Sequence, residues 1–139
     1  MRRQLMPFLG ARYRFAATVV KFGLRHEIFR GALPTMMLHD AALHTGSVIV
    51  VAQHLWTDIT NEVVQLNPRR GDRICFDATV QEYYKFNDNG RELLDYSIGK
   101  LANIDLASGG EGLSLAEYLN NLKQSRTYTN GQIEVTCLA

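Results

Sequence analysis

From Arg12 to Phe22 the chain alternates, with Tyr13, Phe15, Ala17 and Val19 on one side and Arg12, Arg14, Ala16 and Thr18 on the other. Period two with aromatic and β-branched residues predicts a strand. Gly23 and the polar "RHE" predict a bend or bulge after it. Two further strands follow, about Thr35–His39 and Val48–Trp56, joined by "DAALHTG" with Gly46 for turn freedom. "TDITNEVVQLN" carries Ile59, Val63 and Leu66 at i, i+4 and i+7, with Thr57 or Asp58 as N-cap, and predicts a short helix ending at Asn67-Pro68.

Alternation returns in "RRGDRICFDATVQEYYKF", residues 69–86. Gly71-Asp72 makes the turn, Ile74, Phe76, Ala78 and Val80 point one way, and Cys75, Asp77, Thr79 and Gln81 point the other. "NDNG" (87–90) predicts a hairpin loop into a partner strand near Leu93–Leu101. "ASGGEG" (107–112) reads as a flexible joint. After it, Ser114 and Glu117 form a capping-box pattern, and Leu115, Leu119 and Leu122 form an apolar stripe. The lead-in 1–9 is short helix or irregular, limited by Pro7, and "GQIEVTCL" is an edge strand or a tail.

Three strands, a helix, two strands and a C-terminal helix is the order of the oligonucleotide/oligosaccharide-binding (OB) barrel. Barrel closure would also explain why every strand alternates. The predicted class is mainly β: a five-stranded OB-like barrel over 1–106, with 107–139 as joint, C-terminal helix and tail packed on it. At 139 residues there is room for one core.

The stretch from His54 to Ile104 resembles the second half of small OB-fold proteins of bacteria and their mobile elements. In these, "DHLW" closes strand three, "L-x-x-GD-x-I-x-F-x-A-x-V-x-x-Y" forms strand four and "DY-x-[LI]" lies in strand five. The matching positions are His54, Leu55, Trp56, Leu66, Gly71, Asp72, Ile74, Phe76, Ala78, Val80, Tyr83, Asp95, Tyr96 and Ile98. Gln53 stands where the family's acid would be. About 50 residues carry the resemblance, and it implies the fold more than a function.

Composition narrows the function classes. The chain is 46% hydrophobic and 21% charged, as a globular protein is. "SVIVVA" is too short to span a bilayer. Gly10, Arg12 and Arg14 interrupt the apolar part of the N-terminus, so no secretory signal is read and a cytoplasmic protein is expected. Cys75 and Cys137 are far apart and read as free thiols. His39-Asp40, His44 and His54 lack the helical context and further ligands of an HD-type metal site, so no metal or cofactor is expected. No P-loop, G-x-S-x-G or G-x-G-x-x-G with its required context is present, so no enzyme class is supported.

Net charge is +1, unevenly spread. Residues 1–30 hold seven basic side chains against one acid, giving +6; the rest hold eight against thirteen, giving −5. An OB platform for single strands needs cations for phosphates and aromatic faces for bases. The candidates are Arg12, Arg14, Lys21, Arg25 and Arg30 around strand one, with Arg69, Arg70 and Lys85 flanking strand four. Trp56 and Tyr84 are the aromatic candidates, with Phe22, Phe29, Tyr83 and Phe86 behind them. As the end of an apolar strand, Trp56 also suits a core position. Tyr83 and Tyr84, adjacent in a strand, should face opposite ways. Two readings result: a non-catalytic binder of single-stranded DNA or RNA, or a protein-binding OB module such as a phage or mobile-element inhibitor or adaptor of a nucleic-acid machine. The fold and the N-terminal charge favour the first, and the near-neutral total favours the second.

Overall fold

The computed structural model describes residues 3–44, 48–86 and 88–127. Cys137, "GQIEVTCL", Gly46 and Asn87 of the predicted loop lie outside them. A 3₁₀ turn (Arg3–Phe8) precedes β1 (Arg12–Glu27), β2 (Gly31–His44) and β3 (Val48–Asp58). Then come α1 (Asn61–Leu66), β4 (Arg73–Phe86), β5 (Glu92–Ser108) and α2 (Leu115–Thr127). All pairings are antiparallel and the sheet order is β3-β2-β1-β4-β5. Central β1 is thus shared by two hairpin layers, which is the partly open five-stranded OB architecture. Among the described residues the expected full closure is not seen: β3 and β5 approach each other without a ladder between them.

The core is the inward set of each strand. Phe15, Ala17 and Val19 of β1 meet Met36, Leu38, Leu55, Ile74, Phe76, Ala78 and Val80, all essentially fully buried. The Phe15 and Phe76 rings stack at 6.0 Å. Leu5, Val63 and Leu115 add one buried side chain each from the 3₁₀ turn, α1 and α2. A fully buried side chain of this size contributes about 1.5–3 kcal/mol, so these plugs stabilise the barrel as well as closing it.

Three strands are longer than the pattern predicts, and each runs through a bulge. β1 carries an extra residue between Val19 and Lys21. β2 is irregular around Asp40, which has φ 52°. β5 bulges around Lys100 and Asn103, with φ of 57° and 52°. A bulge shifts the inward parity by one residue, so the alternation looks broken while the ladder continues. The barrel section therefore extends through Ser108, beyond the expected joint at 107.

α1 is capped by Thr60, whose hydroxyl accepts from the Val63 N–H, rather than by Thr57 or Asp58. It stops at left-handed Asn67 before Pro68, as predicted. Ser114 caps α2 by accepting from the Glu117 N–H at 3.2 Å. Buried Asp72 explains the Gly-Asp corner: Oδ2 accepts from Arg69 N–H at 2.8 Å and Oδ1 from Gly110 N–H at 2.6 Å. Gly110 is required there, because a Cβ would stand 2.4 Å from the carbonyl carbon of Gly71.

Candidate nucleic-acid interface

The bulge in β1 divides its basic residues into two groups with different surroundings. Arg12 and Arg14 precede it, on the outer side facing β4 and β5. Arg12 donates to Thr79 Oγ1 at 3.1 Å and to the Lys100 carbonyl at 2.8 Å. Arg14 bridges Asp77 at 3.2 Å and Asp105 at 2.8 Å and donates to the Asn103 carbonyl at 2.7 Å. The β5 bulges turn those carbonyls toward the arginines, and Asn103 Nδ2 completes the cluster by donating to Asp77 Oδ2 at 2.7 Å. Burial alone would lower the Arg14 pKa, but Asp77 and Asp105 outweigh it and hold the guanidinium above its ordinary value. The Asn103 hydrogen bond, then that of Arg14, hold the Asp77 carboxyl below the usual carboxylate range.

Past the bulge the odd-numbered residues face outward, toward β2 and β3. Register places Lys21, Met37 and Trp56 in one row across β1, β2 and β3, and Gly23, Thr35 and Asp58 in the next. Trp56 is 46% exposed. Its position at the end of an apolar strand therefore does not put it in the core, because Leu55 and Thr57 take the inward places. The indole tip lies on Gly23, where a Cβ would be only 3.1 Å from Cη2 and Cζ3. Lys21 Nζ stands 5.7 Å from the ring centroid, a cation–π arrangement. The Trp56 ring is thus fixed from two sides, with much of its surface open to solvent.

Trp56 borders a cleft of about 620 Å³ at the open β3/β5 seam. Arg25 and Asp58 line it from the β1–β2 side, Gln81–Tyr83 from the root of the β4–β5 hairpin, and Lys100 from the β5 bulge. Its charges nearly balance. Arg25 donates to both oxygens of Asp58 at 3.0 and 3.2 Å and also contacts Glu27. The Glu27 hydrogen bond, followed by the Asp58 charge, holds the Arg25 pKa above its ordinary value against desolvation.

The two hairpins converging on this cleft carry exposed apolar side chains. At the β1–β2 turn, Ile28 and Phe29 are 93% and 97% exposed, and Arg30 lies 3.7 Å from Glu27. Beyond Val80 the side chains of β4 are no longer buried, so neither Tyr83 nor Tyr84 takes an inward place, while Asp95 and Tyr96 on the paired strand β5 stay buried. Tyr83 is anchored, its hydroxyl donating to Asp95 Oδ2 at 3.3 Å, while Tyr84 is 63% exposed. Lys85 reaches the nearly buried Asp95 carboxylate at 2.8 Å.

Arg69 and Arg70 lie apart from this surface, at the corner between α1 and β4. Arg69 pairs with Glu117 at 3.4 Å, and Arg70 donates to the Val20 carbonyl at 3.0 Å. Phe22 is buried against Tyr118, with ring centroids 5.6 Å apart. The structure therefore gathers Lys21, Arg25 and Trp56 on one face and brings the hairpin bearing Tyr84 and Lys85 to its cleft. It holds Arg12 and Arg14 in a separate network.

The pattern of the chain did not point to the outward row His39–His54 beside Trp56, nor to Lys100 in the cleft. Only the β2–β3 register and the β5 bulge bring them there. Among the described residues no group of three His, Cys, Asp or Glu side chains could hold a metal ion, and no helix is long and apolar enough to cross a membrane.

No family model matches the sequence, and no curated protein does. Among solved structures, the chain is similar to the mitochondrial single-stranded DNA-binding protein of S. cerevisiae in two crystal structures. They give TM-scores of 0.47 and 0.46 at 14% and 13% identity, each covering 72% of this chain and 97% of that one.

Proposed function

We propose that this chain binds single-stranded nucleic acid, without catalysis, on the outer face of β1–β2–β3 and in the cleft at its edge. The observation that carries the reading is Trp56: a large aromatic ring, half exposed, fixed by Gly23 and Lys21 and bordering a cleft. An exposed indole is a stacking surface for any base, worth about 1–3 kcal/mol per base. Tyr84 and Phe29 on the flanking hairpins offer two more aromatic surfaces.

Charge plays the smaller part. Arg14, Arg25, Arg30, Arg69 and Lys85 each hold a carboxylate. Arg12 and Arg70 hold carbonyls, and Lys21 sits over the indole. A strand bound here is held mainly by stacking, and its affinity falls only shallowly with salt, since few counterions are released.

Titration of fluorescent oligo-dT and an equal-length duplex at two salt concentrations tests this. Preference for the single strand, with a shallow salt dependence, is expected. Absence of binding even at low salt would rule the reading out. It would favour the protein-binding module, for which the exposed Ile28–Phe29 tip is the supporting feature.

A further inference from the structure

We propose that the His39–His54 pair is a second, proton-linked subsite for the same anionic strand, one step along the sheet from Trp56. This inference rests on the reading of that face as a single-strand platform.

His39 on β2 lies directly opposite His54 on β3, with ring centroids 4.8 Å apart and planes inclined at 56°. His54 precedes Trp56 by two residues on the same outward side, about 7 Å along the strand. That is about twice the ~3.4 Å rise of stacked bases, so a nucleotide at each place would not collide with the other.

The pair is also electrostatically prepared. Adjacent strand residues normally point to opposite faces. The bulge at Asp40, with φ 52°, instead brings its carboxylate beside the preceding imidazole, and His39 Nδ1 meets Asp40 Oδ2 at 3.0 Å. With Nδ1–H given to that carboxylate, Nε2 takes up the second proton, and a protonated Nε2 donates to a phosphodiester oxygen. Among the described residues, the charged groups placed beside the pair include Asp40 on β2 and Arg73 from β4, which donates to Thr18 Oγ1 and the Asp40 carbonyl, both at 3.1 Å. Lys21 on β1 stands one row away. Asp40 and Arg73 offset each other, so protonation of an imidazole makes this part of the face net positive.

An anion at the exposed edge of the pair favours the protonated forms. Binding therefore takes up protons and tightens as pH falls between 7.5 and 5.5, a window above ordinary carboxylate titration. Oligo-dT lacking terminal phosphates, titrated at constant ionic strength, is expected to bind about fivefold more tightly at pH 5.5 than at pH 7.5. The His26→Gln variant should keep this dependence. The doubly substituted His39→Gln, His54→Gln protein should lose it. Calorimetry of the wild type at pH 6.5, in two buffers of different ionisation enthalpy, should show net proton uptake on binding, a readout independent of how the variants fold. Binding without pH dependence or proton uptake, or a dependence that survives the double substitution, would overturn the subsite. No binding at either pH would count instead against the platform itself.

Discussion

The two halves of β1 hold similar side chains and use them in opposite ways. Before the bulge, Arg12 and Arg14 are tied to β4 and β5 by the Lys100 and Asn103 carbonyls at two β5 bulges and by the carboxylates of Asp77 on β4 and Asp105 on β5. After it, Lys21 and Gly23 leave an indole open to solvent. The first half pairs its charges with groups of the protein itself; the second arranges a surface. Counting basic residues along a strand therefore does not locate a binding face, because each guanidinium's partner decides whether it is available.

The sharpest way to break this contrast is at Trp56. Trp56→Ala should weaken oligo-dT binding by between about fivefold and a hundredfold, the value of one stacked base, measured by fluorescence anisotropy. Its melting temperature should change little, since the ring is not in the core. Gly23→Val should act in the same direction with a smaller loss, because the added side chain drives the indole off its seat; a crystal structure of the variant would show the displacement. Arg14→Ala should do the reverse, costing about 1 kcal/mol in urea unfolding by uncoupling Asp77 and Asp105, while leaving binding unchanged. Lys21→Ala should reduce the slope of log affinity against log salt by about 0.7, with no such change in Arg14→Ala.

The smallest effect is on acid stability. Asp77 has a depressed folded-state pKa, so its contribution is present above the ordinary carboxyl range and is lost as pH falls through the folded value. Thermal melts between pH 5 and pH 2.5 should show a shallower decline for Asp77→Asn than for the wild type.

The OB order was legible in the chain because β4 alternates without interruption from Ile74 to Val80 and "NDNG" marks the second hairpin. Strand lengths were not legible. The pattern places the end of β1 near Phe22, β2 at His39 and β5 at Leu101, and in each case a bulge at or beside that point shifts the inward parity while pairing continues. The site suffered from the same cause. Lys21 and Arg25 belong with Trp56 only once the β1 bulge is known, and His39 meets His54 only through the register of β2 with β3. Trp56 sits after an apolar run and reads as core until the exposed parity of His54, Trp56 and Asp58 is seen.

The central claim is that Trp56 is the stacking surface, and the chain's single tryptophan makes it directly measurable. Intrinsic fluorescence titrated with oligo-dT should show saturable quenching, with a midpoint matching the affinity from anisotropy and only a shallow shift between low and high salt. Binding by anisotropy with no change in the tryptophan signal would contradict it.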